Sequence, residues 1–359
     1  MKHSLSAAAA AALLVVSGAS HALTFNFTFV AGTSPQAQQA FIDAGARWSA
    51  LFTDNVTLDM TVGQTALGAG ILASTGSART AYSYTNFKSA LTADATSAND
   101  AIAVGSLPAT SVGMLINRTS DNPNGAGSAT PYLDNNGSAN NTTVRITNAN
   151  AKALGLTPTA AVVGSCAAAC DASIVFATGF TWDYNPADGI TPGAYDFVGI
   201  ATHELGHALG FVSGVDILDI NSSSSFFTAD QFTYVSSVDL FRYSAASIAA
   251  GGLGTIAFTA DATPKYFSID KGATVGAGFS LGRTWGDGQQ ASHWKDNLGI
   301  GIMDPTAAQG EQLSISANDK LAFDVIGWNL APVPEPATYA LFGLGLFGLA
   351  LRRRPSQRD

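Results

Sequence analysis

The 359-residue chain has only two cysteines, Cys166 and Cys170, which excludes a scaffold built from disulfides. Charged residues make up 12% of it, too few for coiled coils or long solvated helices. Basic residues number 17 against 26 acidic ones, a formal net charge of −9. The chain therefore lacks the cationic surface that phosphate binding needs, and nucleic acid is excluded as a partner. Histidine is scarce as well, with five in all: His3, His21, His203, His207 and His293. What is plentiful is apolar and small: 47% hydrophobic residues and 37 glycines, set among many Ala, Ser, Thr and Asn. That composition supports one or two packed cores with a strand- and loop-rich extracellular surface.

The two ends are expected to be addresses rather than fold. Residues 1–22 have the three parts of a secretory signal: Lys2, an apolar run from Ala7 to Val16, and small residues at Ser20 and Ala22. At the other end, Pro334-Glu335-Pro336 precedes an apolar stretch from Ala337 to Leu351, and Arg352, Arg353 and Arg354 follow. The stretch is at the short limit for a transmembrane helix, with the arginines placed to hold its end on the cytoplasmic side. Together residues 332–359 resemble the PEP-CTERM sorting tail of Gram-negative bacteria. The resemblance implies membrane contact through the tail before processing, recognition by an exosortase-type enzyme, and a body that is secreted or attached at the cell surface. Between the ends, residues 23–331 keep 12 basic and 24 acidic residues, a net −12, and three histidines.

Within that body, residues 23–29 (LTFNFTF) alternate strictly and predict a half-buried strand. Ser34-Pro35 predicts a helix start, with the helix running to about Phe52. Val56, Leu58, Met60 and Val62 predict a second strand, so the chain opens as an α/β-type layer. Residues 63–142 read as weakly patterned and loop-like. Val144–Ile146 and Ser173–Ala177 are further strand candidates, and between them Cys166 and Cys170 are expected to close a small disulfide loop. A helix is expected from about Asp196 to Gly210, a long Ser/Gly/Asp-rich insertion over 213–290, and a last helix from Ser316, whose spacing to Asp319 is close to a capping box.

The segment 201–211 (ATHELGHALGF) contains H-E-x-x-H. On a helix, His203 and His207 project from one face toward one point, which suits two nitrogen ligands of Zn²⁺. Glu204 is then set beside the metal's water, as a general base for its attack on a carbonyl. Catalytic zinc takes three protein ligands. Position 213 of the elongated motif is Ser213, a poor ligand, which leaves Glu311, Asp216 and His293 as candidates.

The order of motifs resembles the leishmanolysin branch of the metzincins. The resemblance is carried by His203-Glu204-x-x-His207-x-x-Gly210, a long insertion, Ser292-His293-Trp294, and Ile302-Met303-Asp304-Pro305, followed by 319–328. It implies His293 as the third metal ligand, Met303 as the methionine of a turn beneath the metal, Gly210 as the helix end, and 319–328 as a closing helix. It also implies an α+β, metzincin-like zincin with a twisted mixed sheet, an N-terminal subdomain to about 211, and a C-terminal subdomain over 212–331. Substrate would lie along an edge strand, here Ser173–Ala177 or Phe180–Trp182. The family's cysteine framework and its zinc-blocking cysteine are missing. Calcium is compatible with the Asp-rich body around Asp183, Asp188 or Asp287, but no stretch matches an EF-hand loop and none is assigned. The expectation is an exported zinc endopeptidase acting on a protein or peptide substrate. Its rivals are a non-catalytic binding protein of the cell surface or extracellular matrix and a zinc hydrolase of non-peptide amides.

Overall fold

The computed structural model describes residues 23–224 and 227–332, with the backbone alone for 222–224. The signal-like residues 1–22 and the apolar run 337–351 lie outside the described residues. Among the described residues no helix is long and apolar enough to cross a membrane.

The main sheet has four strands in the order Thr24–Phe29, Thr57–Thr65, Ala172–Ala177 and Ala73–Ser77. The first three run parallel, and Ala73–Ser77 closes the edge antiparallel, with Thr75 opposite Ile174. The sheet is thus mixed. Ala172–Ala177 lies inside it, bonded on both sides, so it is not the edge strand expected above. That edge is formed by Ala73–Ser77, five small residues, three of them polar, with too little apolar contrast to announce a strand.

Two helices pack on the sheet. The first, Pro35–Ser49, starts where Ser34 Oγ accepts from Ala37 N and Pro35 needs no donor. The second, Phe197–Leu209, is buried nearly all round, which is what its apolar sequence demands. Phe41 of the first helix, Phe176 of the sheet and Phe197 of the second meet at ring-centroid distances of 4.2–5.2 Å. All three rings are fully buried, and removing any one would cost about 3–5 kcal/mol. Trp48 Nε1 donates to Thr202 O at 2.9 Å and locks the two helices together.

The stretch 63–142 is more structured than its pattern suggested. It holds the edge strand, a strand at Arg79–Ser83, and helices Tyr84–Asp94 and Ala98–Ser106 begun by side-chain caps from Ser83 and Ser97. The expected division near 211 is crossed by backbone pairing: Ile256–Phe258 lies parallel to Met114–Ile116, and Arg145 N donates to Val235 O at 2.8 Å. Cys166 and Cys170 are joined by a disulfide.

The closing helix, Ala317–Val325, begins with a full capping box between Ser316 and Asp319. After it the chain is pinned back onto the ends of both helices. Trp328 Nε1 donates to Leu209 O at 2.9 Å, Thr53 N to Asn329 O at 2.9 Å and Ala331 N to Leu51 O at 2.8 Å.

Candidate metal centre and active-site cleft

The helix Phe197–Leu209 is capped at its start by Asp196, a fully buried residue. Its Oδ1 accepts from Gly199 N at 2.8 Å and its Oδ2 from Leu313 N at 3.0 Å. The helix ends at Gly210, whose φ of +130° is open to glycine and strained for other residues. A Cβ there would also come within 3.2 Å of Asn150 and Ile326. This turn carries Phe211 O back beneath the helix, where His207 Nδ1 donates to it at 2.7 Å. In the same way His203 Nδ1 donates to Ile302 O at 2.7 Å, and His293 Nδ1 faces Gln290 O at 3.2 Å. With Nδ1 protonated against a carbonyl, each ring presents the lone pair of Nε2.

Those three lone pairs converge. Nε2 of His207 lies 3.1 Å from that of His203 and 3.1 Å from that of His293, and the remaining side is 3.3 Å. Burial, with the neighbouring histidines, pushes the pKa of His293 down to about 3 and that of His207 well below its usual value. Both rings are therefore neutral at physiological pH. Neutral nitrogens facing one another this closely repel unless a cation stands between them. This set of donors could hold a metal ion.

Glu204 is buried beside the cluster, and Thr75 Oγ1 of the edge strand donates to its Oε2 at 2.6 Å. Burial raises the carboxyl's pKa, while His203 and the Thr75 hydroxyl pull it down. The histidines, Glu204 and the edge strand border a cleft of about 610 Å³.

Met303 is fully buried, with Sδ directly under Gly206; an added Cβ at 206 would come within 2.4 Å of it. Asp319 holds this turn in place, a second task beyond capping its helix. Its Oδ2 accepts from Ile302 N at 2.7 Å and from Ser316 N at 2.7 Å, and its Oδ1 from Trp294 Nε1 at 2.8 Å. One carboxylate thus joins the segment whose carbonyl orients His203 to the neighbour of His293.

The other candidates fall outside the cluster. Asp216 Oδ1 accepts from Ala291 N at 2.6 Å, so it positions the His293 segment from behind. Glu311 is exposed and accepts from Ala308 N within its own turn. Asp183 serves Thr191 and Asn185, Asp188 accepts from Asn185, and Asp287 pairs with Lys295 at 2.5 Å. These three aspartates do not gather into a group of three or more potential metal donors among the described residues. Thr75 and the bridging role of Asp319 were not foreseen from sequence. The capping pattern marked Asp319, but nothing local pointed to Thr75.

Residues 332–354 match the PEP-CTERM protein-sorting motif. The chain is an exported protein. The motif marks proteins of Gram-negative bacteria that are sorted to the cell surface or outside the cell, and it implies processing by an exosortase-type enzyme. No curated protein and no solved structure matches the chain.

Proposed function

We propose that the protein is an exported zinc-dependent endopeptidase of metzincin-like architecture. The observation that carries this reading is the triangle of Nε2 atoms, 3.1–3.3 Å on a side, with the Glu204 carboxylate next to it. Zinc bonds of 2.0–2.1 Å in a tetrahedron require nitrogens about 3.3–3.4 Å apart, so His203, His207 and His293 fit as its holders. Zinc held there would supply Lewis acidity, lowering the pKa of a water to about 7 and polarising a peptide carbonyl. Glu204 has one oxygen occupied by Thr75 and the other free to take the water's proton. It then returns that proton to the leaving amine. Burial favours the protonated form of Glu204 and so eases its reception of the proton. Among the described residues the outer side of the edge strand Ala73–Ser77 pairs with no further strand, so an extended peptide can add along it.

The test combines metal analysis with a casein digest. Glu204→Gln is expected to keep one zinc per chain and lose at least a thousandfold in cleavage rate. His293→Ala should lose the metal, whereas Asp216→Asn should retain it. Chelation by phenanthroline should stop the wild type. A wild type that holds zinc but cleaves no protein would overturn the endopeptidase reading in favour of a binding role at the cell surface. Metal loss in Asp216→Asn but not in His293→Ala would move the third ligand to Asp216.

A further inference from the structure

Arg79 begins the strand Arg79–Ser83, two residues past the end of the edge strand, and lines the same cleft as Ser77, His207 and Asp216. Its guanidinium forms no ion pair and no side-chain hydrogen bond among the described residues, although it is only partly exposed. The carboxylates nearest to it in effect, Asp216 and Asp239, are committed elsewhere. Asp216 accepts from Ala291 N and from the Ser292 side chain. Asp239 accepts from Ser213 Oγ at 2.6 Å, Gly214 N at 2.7 Å and Ser236 N at 2.9 Å. The same two carboxylates also face the fully buried Arg242, and Arg145 adds a further positive charge beside Arg79. Arg79 thus has no carboxylate of its own, and its guanidinium opens onto the cleft. A basic surface does not explain it, since the body has twice as many acidic as basic residues.

We infer that the Ser77 end of the cleft is a carboxylate subsite in which Arg79 selects the substrate. The inference deepens the endopeptidase reading and rests on it. A guanidinium withdrawn from water with its fork of donors unused takes a carboxylate bidentately, and discriminates against the uncharged amide of the same shape. The carboxylate has two sources, an Asp or Glu side chain within a peptide or the free carboxyl at a peptide's end.

The experiment uses the full-length, zinc-loaded protein with matched peptides that differ only as Glu against Gln at each position, each with a free and an amidated C-terminus. Both cleavage (kcat/KM) and binding by calorimetry are measured. One Glu position, or the free terminus, should be preferred by about tenfold or more, the size expected of a charge-assisted hydrogen bond. That ratio should fall to about one in Arg79→Gln and to an intermediate value in Arg79→Lys. The lysine variant carries the test if the glutamine variant does not fold. Preference for an internal Glu assigns the side-chain source, and preference for the free terminus assigns the chain end. Equal handling of Glu and Gln by the wild type, or a ratio unchanged in both variants, overturns the subsite. Peptides that bind with the Arg79-dependent preference but are never cut sustain the subsite and sink the endopeptidase reading alone.

Discussion

The Thr75 hydroxyl reaches Glu204 from a strand that is remote in sequence, and it sets which carboxylate oxygen is free. Thr75→Val keeps the shape of the side chain and removes the donor. Its kcat/KM on casein-derived peptides should fall by about tenfold with zinc content unchanged, and Thr75→Ser should recover most of the loss. Full activity in the valine variant would show that the bond has no part in the reaction. At this scale the sequence was legible where chemistry is compressed into a short helical repeat. Spacing alone put His203 and His207 on one face, with Glu204 between them. His293 lies 86 residues beyond His207, and only the scarcity of histidine and the order of motifs pointed to it. Thr75 was illegible because threonine is common here and nothing within Ala73–Ser77 distinguishes it.

Between elements, the packing of Gly206 on Met303 fixes how the helix sits over the turn. Gly206→Ala would gain a little in helix propensity but force Sδ of a fully buried side chain to move. The expected net loss is about 1–3 kcal/mol in urea unfolding. Met303→Ala alone should cost about 2–5 kcal/mol, and the double variant clearly less than the sum, because the second change makes room for the first. Strict additivity would mean that the two residues do not constrain each other. The same contact explains why the turn was readable only as a motif: a buried methionine has no local signature. Capping was more instructive. Ser316-Ala317-Asn318-Asp319 marked the closing helix, and the identical tetrapeptide at Ser97–Asp100 starts Ala98–Ser106. It lay in a stretch whose Gly, Ser and Asn content suggested loops, and composition masked a valid start signal. The edge strand was misplaced for a related reason. Ala172–Ala177 has the apolar run of an interior strand, and the true edge is too polar and small to show alternation.

Across the whole molecule, the last strand of contacts is governed by two carboxylates. Asn329 donates its backbone N–H to Asp54 at 2.9 Å and its side-chain amide to Asp94 at 3.0 Å. Burial raises both carboxyls from 3.8 to about 6. The folded chain therefore binds protons more tightly than the unfolded chain between about pH 4 and 6, and ionisation of this pair opposes folding. The penalty is complete above about pH 6 and disappears as the pH falls through that window. Asp54→Asn should gain about 1–3 kcal/mol at pH 8, with little gain at pH 4.5, as read by urea unfolding across pH. A variant curve parallel to that of the wild type would show that Asp54 does not carry this dependence. Next to this clamp Ala331 N donates to Leu51 O, and the sorting motif begins at residue 332. The folded body is therefore fastened down to the residue before the sorting motif, and the stretch handed to the exosortase-type enzyme starts where this fastening stops.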